Sequence, residues 1–412
     1  MTIDDHLFRR ESGRMVAALT RVFGIHNLAL AEDVVQEAFM RALEIWKARG
    51  VPDNPAAWLV QTAKNRAIDI VRRERTARTF APELGRWLDT EWTLAPVIDE
   101  AFDPHAIRDE QLRMMFSCCE PGLPEEVQIA LVLNILCGFG APEIAAAYLT
   151  GRAAIEKRIS RGKRQLATST RLFDLADAEF ATRLSTVHRA LYLLFNEGYH
   201  GASASRVELC DEAIRLVQLL REHPPSATPT THALASLMYL HAARLAARVD
   251  DNGELRALVD QDRSRWDAGL ASEGLALLEA SAAGTEISAY HVEAAIAAVH
   301  ASATSVADTD WAQIVALYDR LLTIAPSPVV ELNRAIAIGQ ARGAEAGLDA
   351  LHAIAERERF GSYPFYPAAI GELELQLGHR DAARAQFEAA IAVARNHAER
   401  HFLVKRVRAC DV

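Results

Sequence analysis

Alternating apolar and polar runs rich in Val, Ile, Thr or aromatics are nearly absent from this 412-residue sequence, which excludes a sheet as its main scaffold. Cysteine is scarce as well. Of five cysteines only Cys118 and Cys119 stand close together, so there is no disulfide framework, and no C-x-x-C pair suggests structural zinc. No apolar stretch approaches the roughly 18 residues of a membrane span. The opening MTIDDHLFRR has acids where a secretory leader has a basic region, and no apolar core follows it. A cytoplasmic protein with no membrane partner is expected. The sequence also lacks a glycine-rich phosphate loop, a zinc-ligand pattern and a nucleophile with a visible base. Neither catalysis nor a cofactor nor a metal is therefore expected. Cys118 and the region of His188 and His200 are where an enzyme reading would have to start.

What is present points to a folded, helical chain. Half the residues are hydrophobic and 24% are charged, enough to bury real cores. At roughly 100 to 200 residues per domain the length suggests two to four domains. Apolar residues recur at helical spacing almost throughout, so the fold class is all-α. Punctuation separates a block over 1–75, a connector over 76–104 that includes PELGRWLDTEWTLAPVIDEAFDP, a second block over 105–170, and a long remainder over 171–412. Within the remainder HPPSATPTT, from His223 to Thr231, breaks any helix. Towards its end Ile370, Gly371, Gly378, Ala383, Phe387 and Ala390 fall at the offsets of a tetratricopeptide helix pair, and Tyr318, Pro326 and Gly343 fit the same template more loosely. Gly343 and Gly378 stand 35 residues apart, near the roughly 34-residue period. Such pairs stack into scaffolds whose concave face binds a partner, while an Ala-rich bundle is the simpler alternative.

The formal net charge of -10 argues against a generic nucleic-acid coat, yet one stretch is intensely basic. GRAAIEKRISRGKRQL, from Gly151, carries six cations against the single acid Glu156. Ile155, Ile159, Gly162 and Leu166 step by helical spacing onto one face, and nearly all the cations lie off it. Before it, LPEEVQIALVLNILCGFGAPEIAAAYLT reads as an apolar helix, a Gly-rich break over Gly138 to Gly140, and a short helix started by Pro142. That order, closed by a turn at Thr150 and Gly151, is a helix-turn-helix whose last helix would enter a major groove. A solvated surface helix would explain the charge alone, but it leaves the preceding helix pair unexplained.

The first block has two informative segments. AEDVVQEAFMRALEIWKARG places Val35, Ala38, Phe39, Ala42, Ile45 and Trp46 on an apolar side, opposite Glu32, Asp33, Gln36 and Glu37. Those acids suit either a helix dipole or a basic protein partner. VPDNPAAWLVQTAKNRAIDIVRRER has Asn54 as a cap and Pro55 in the first turn of a long helix. Gln61, Lys64, Asn65, Ile68 and Arg72 form a stripe along it, flanked by Arg66, Asp69 and Arg73. Amides and guanidiniums on one face can read base edges and hold phosphates, and Trp58 could stack on an unpaired base or serve as core.

These segments resemble those of a bacterial sigma factor of the extracytoplasmic-function class. AEDVVQEAFMRAL is similar to the family's D-x-x-Q-E-x-F segment, NPAAWLVQTAKNRAIDIVRRE to its W-L-x-x-x-x-x-N-x-x-x-D-x-x-R segment, and EIAAAYLTGRAAIEKRISRGKRQL to its second helix-turn-helix. The resemblance implies no enzyme but a factor that joins core RNA polymerase and opens promoter DNA. Asp33, Gln36 and Glu37 would meet the clamp helices of the largest polymerase subunit. Asn54, Trp58, Lys64, Asn65, Asp69, Arg72 and Arg73 would lie at the melted minus-ten strand. Arg152, Ala153, Lys157, Arg158 and Arg161 would address the minus-thirty-five duplex, with Lys163 and Arg164 on phosphate. Where the family has a small polar residue before the β-branched core position of that helix, this chain has Ala154 before Ile155.

The remainder resembles the subgroup with a tetratricopeptide-like extension, a likeness also carried by DEQLRMMFSCCEPGLPEE and RLSTVHRALYLLFNEGYHGAS. It implies an extension that regulates or supports sigma activity through an unidentified ligand or protein. At Cys118, Cys119 and Glu120 the related chains have His third, and, because adjacent helical side chains point about 100° apart, one of the two cysteines is expected to be buried as a small hydrophobe. The alternative function is a helical-repeat scaffold in which the DNA-binding blocks are secondary.

Overall fold

A computed structural model describes residues 5–77, 102, 104–120, 122–147, 150–168, 177–200, 204–248, 256–355, 357–361, 363–394 and 397–411. Most of the expected connector lies outside the described residues. All regular structure among the described residues is helical. The chain divides into two compact units, residues 1–194 with 222–226, and residues 195–221 with 227–412.

The first unit begins with helices α1 (Asp5–Phe23), α2 (Leu28–Arg49) and α3 (Pro55–Ala77). Asn54 caps α3, its Oδ1 accepting the Ala57 amide at 3.0 Å. Then come α4 (Pro104–Cys118), α5 (Glu125–Leu131) running into a π turn over Val132–Leu136, α6 (Ala141–Ala147) and α7 (Arg152–Thr168). Gly138 takes φ +68° at the break after the π turn, a conformation open to glycine at little cost. The unit ends in the first part of α8 (Asp177–His200).

Helix α1 joins the two blocks that the sequence separates. It packs against α2 and α3 and equally against α4 and the π turn. The approach is close because residue 13 is glycine: a Cβ there would stand 2.0 Å from the Leu136 carbonyl oxygen. Met15, Leu19 and Phe23 of α1, Leu59 of α3, Met114 to Phe116 of α4, and Leu131 and Ile135 are fully buried in this unit. Ion pairs tie the same blocks: Arg9 to Glu143 at 2.8 Å, Arg21 to the buried Glu110 at 2.6 Å, and Lys163 to Glu32 at 2.6 Å. The start of α8 completes the core, with Phe180 edge-on to Phe116 at 4.7 Å. Arg183 donates to the Phe116 carbonyl at 3.2 Å and pairs with Glu120 at 3.2 Å.

The second unit holds α9 (Ala204–Glu222), α10 (Pro229–Ala242), α11 (Leu245–Arg248), α12 (Ala268–Ser281), α13 (Ala289–Ser302), α14 (Trp311–Ile324), α15 (Pro328–Arg342), α16 (Ala344–His352), α17 (Phe365–Gln376), α18 (Arg380–Ala392) and α19 (His397–Ala409). Side-chain caps start several of them: Thr228, Asp267, Asp310 and Ser327 each accept a first-turn amide. Helices α15 and α16 pack as a pair, as do α17 and α18. Gly343 at φ +98° makes the first turn and Gly378 at φ +81° the second, so the two glycines 35 residues apart sit between paired helices. Ala383, Phe387 and Ala390 are buried in one cluster with Leu403 and Cys410.

Candidate nucleic-acid interface

On α7 the four apolar-face residues are buried: Ile155, Ile159, Gly162 and Leu166. They seat the helix on α5, α6 and α4. The opposite face leaves Arg152, Ala153, Lys157, Arg161 and Arg164 exposed. Lys157, Arg161 and Arg164 make no ion pair among the described residues. The remaining cations are engaged. Arg152 pairs along the helix with Glu156 at 2.7 Å, Arg158 with Glu126 at 2.5 Å, and Lys163 with Glu32 of α2. Lys163 was expected at phosphate, and here it joins the two blocks instead.

The α2 acids divide in the same way. The helix begins at Leu28, so Glu32 and Asp33 fall beyond its first turn, where a dipole explanation for them weakens. Asp33, Gln36 and Glu37 are exposed, and Glu37 accepts from Arg66 Nε of α3 at 2.7 Å. Sequence reasoning missed two neighbours on this face, Met40 at 58% and Leu43 at 42% exposure. They follow Gln36 by four and seven residues, a helical spacing off the apolar stripe that could have marked them. The exposed face of α2 therefore opens on acids and an amide and carries the apolar Met40 and Leu43 among charged residues such as Arg41 and Glu44 farther along.

Along α3, Asn54, Asn65, Asp69, Arg72 and Arg73 are exposed, and Gln61 donates to Asn65 Oδ1 at 2.9 Å. Trp58 is half-buried, edge-on to the buried Trp46 at 5.5 Å, so it does part of the work of a core residue. Lys64 Nζ lies 5.4 Å from the centre of the buried Phe102 ring. Hence the α3 stripe is exposed at Gln61, Asn65 and Arg72 and only partly so at Lys64 and Ile68.

A model of Sigma-70 region 2 matches residues 7–77, which hold α1 to α3. A family of unknown function, DUF6596, matches residues 183–282. The chain is 41% identical over 394 residues to the uncharacterized protein R00370 of Rhizobium meliloti (strain 1021), covering 94% of this chain and 91% of that one. It is 29% identical over 163 residues to the ECF RNA polymerase sigma factor SigE of Mycolicibacterium smegmatis, covering 39% of this chain and 59% of the relative. To the ECF RNA polymerase sigma factor SigK of Mycobacterium sp. (strain KMS) it is 26% identical over 164 residues, 39% of this chain and 79% of the relative. The chain belongs to the extracytoplasmic-function class of the sigma-70 family, with a C-terminal extension. No solved structure matches it.

Of the positions an enzyme or metal reading would start from, those that the structure describes are buried. Cys118 and Cys119 are both buried, where the sequence pointed to one. Burial pushes the Cys118 thiol well up and the Cys119 thiol to about 12, so neither is a thiolate at neutral pH. His188 is buried and pushed down to about 4, which keeps it neutral. The His200 side chain lies outside the described residues. Among the described residues no group of three His, Cys, Asp or Glu is placed to hold a metal, and no helix is long and apolar enough to cross a membrane. In the extension a groove of about 430 Å³ is lined by Glu345, Asp349, Glu374, His352 and His379 beside exposed Leu377.

Proposed function

We propose that this sigma factor docks on the clamp helices of core RNA polymerase through α2 and reads two promoter elements through α7 and α3. Asp33, Gln36 and Glu37 give the polar contacts to polymerase, and Met40 and Leu43 add an apolar edge. In α7, Arg152, Ala153, Lys157, Arg158 and Arg161 address the minus-thirty-five duplex, and Arg164 holds phosphate. Asn54, Trp58, Lys64, Asn65, Asp69, Arg72 and Arg73 line the melted minus-ten strand. The factor works by placing polymerase and capturing an unpaired strand in the cytoplasm. Residues 1–75 and 105–170 are the functional blocks, and 171–412 regulate or support them. The observation that carries the reading is the exposed cationic face of α7, seated by its apolar face in the same unit as the region 2 helices.

The promoter geometry adds a requirement. Elements centred about 25 base pairs apart are separated by roughly 85 Å at about 3.4 Å per pair. Blocks packed through a shared α1 do not span that distance, so contacts such as Lys163 to Glu32 must release before both elements are engaged, and Lys163 then becomes available to phosphate. The test is run-off transcription by purified core polymerase with the full chain, beside a version kept through Leu194 so that Phe180 and Arg183 remain in the first core. Stimulation at its own promoters supports the reading. No stimulation by either version, at any promoter of the source genome, refutes it.

A further inference from the structure

In the second unit three arginines collect around two aromatic rings. Arg244 Cζ lies 5.1 Å and Arg263 Cζ 4.9 Å from the centre of the Trp266 ring, and Arg248 Cζ lies 3.9 Å from that of Tyr199. The two terminal nitrogens of Arg263 are accounted for. They donate to the His300 and Ala303 carbonyls at 2.7 and 2.6 Å and to Thr309 Oγ1 at 3.0 Å, closing the end of α13. Arg244 is not accounted for. It is 8% exposed, yet its one side-chain hydrogen bond among the described residues is a long 3.4 Å contact from Nη2 to Gln261 Oε1, and its Nε is buried with no acceptor.

No carboxylate among the described residues forms an ion pair with Arg244, Arg248 or Arg263. Of the described acids nearby, Asp262 accepts from Ser264, and Asp308 from Thr304 and Ser305. Two further buried nitrogens around the ring, Arg263 Nε and Trp266 Nε1, also have no partner. Each of these three unmet atoms is a donor. A buried, unpaired guanidinium is among the costliest groups a fold can hold, and contact with an indole recovers only part of that cost. The missing partner is therefore an acceptor carrying negative charge. Three clustered cations outweigh a single carboxylate and match a phosphate, whose oxygens fit the guanidinium fork.

We propose that Arg244 anchors a binding site in the extension for a phosphate group, free or carried by a small phosphomonoester, with Arg248 and Arg263 supplying field and Trp266 forming a wall. All four residues lie within 183–282, the stretch matched by the family of unknown function. The site is independent of the sigma reading, because none of its residues belongs to the first unit.

The test uses the full chain, with thermal unfolding and tryptophan fluorescence followed against inorganic phosphate, glycerol 3-phosphate, acetate, and chloride at matched ionic strength. Wild type should show a saturable rise in unfolding temperature with phosphate or the ester that acetate and chloride do not reproduce. The tighter of the two identifies the source. Arg244→Met should weaken binding at least tenfold, and Trp266→Phe should remove the fluorescence change while keeping the thermal shift. Should Arg244→Met fail to fold, Arg244→Lys keeps the charge without the fork and should still bind several-fold more weakly. A wild-type response no larger than that to chloride overturns the site, as does a variant that folds and binds like wild type.

Discussion

At the scale of single residues, the cations of α7 should separate by what they touch. Arg152 and Lys157 lie on the exposed early turns, and neither is tied to another helix. Arg152→Ala should weaken upstream-element binding by about 1–3 kcal/mol if it reads a base, and should relax preference at one position. Lys157→Ala, if it holds phosphate, should weaken binding evenly across sequences and lower the salt slope by about 1. Fluorescence anisotropy on promoter duplexes at several salt concentrations checks both; wild-type affinity and slope in each variant would displace the recognition helix from α7. Two buried histidines make a separate prediction. His188 and His300 are each held near pKa 4 by burial, against an ordinary 6.5, so the unfolded chain binds the extra protons. Their stability contribution is complete above pH 6.5 and is lost as pH falls towards 4, which amounts to roughly 2 kcal/mol per histidine between neutral pH and pH 5. Urea unfolding at the two pH values should show that loss in the wild type, and less of it in His188→Gln and His300→Gln.

At the scale of elements, sequence pattern was a good guide wherever an element's own residues decide its structure. The α7 stripe could be read because burial of Ile155, Ile159, Gly162 and Leu166 is a matter of helical spacing alone. The Asn54 cap and the turn glycines Gly343 and Gly378 are local signals of the same kind. The start of α2 was not legible. Asn27 is a favoured cap residue, but its side chain donates to the Phe23 carbonyl at 2.8 Å and makes no cap bond, so its signal for a start at Leu28 is a weak one. The α2 face yields a direct prediction: Asp33→Ala with Glu37→Ala, and separately Met40→Ala with Leu43→Ala, should each lower affinity for core polymerase. Folding stability should move by no more than about 1 kcal/mol, since the Glu37 to Arg66 pair is a surface one. Pull-down or anisotropy against core polymerase measures the first effect and urea unfolding the second. Variants that keep full polymerase affinity would remove α2 from the interface.

At the scale of the whole molecule, what the sequence hides is long-range. Lys163 meets a partner 131 positions away, and Gly13 is a glycine because of Leu136. Neither residue looks unusual in its own segment. The Lys163 to Glu32 pair, partly exposed, is worth at most about 1 kcal/mol, so the α1 packing must hold the first unit closed. Gly13→Ala discriminates, because two effects of opposite sign meet there. Within α1 alone the change favours helix by roughly 0.5–1 kcal/mol. Against Leu136 the new methyl would sit 2.0 Å from a carbonyl oxygen and force the helices apart. The second effect should win, giving an intact α1 in a more open unit. Dyes on introduced cysteines in α3 and α7 can report this, because the five native cysteines are buried. Transfer between the dyes should fall in Gly13→Ala, and should fall in the wild type when core polymerase and promoter are added. A short bis-maleimide joining cysteines placed at positions 32 and 163 should abolish run-off transcription, while a monofunctional maleimide at the same cysteines should not. If the cross-linked protein transcribes as well as the singly labelled one, the closed packing is no barrier to promoter binding and the requirement for opening fails.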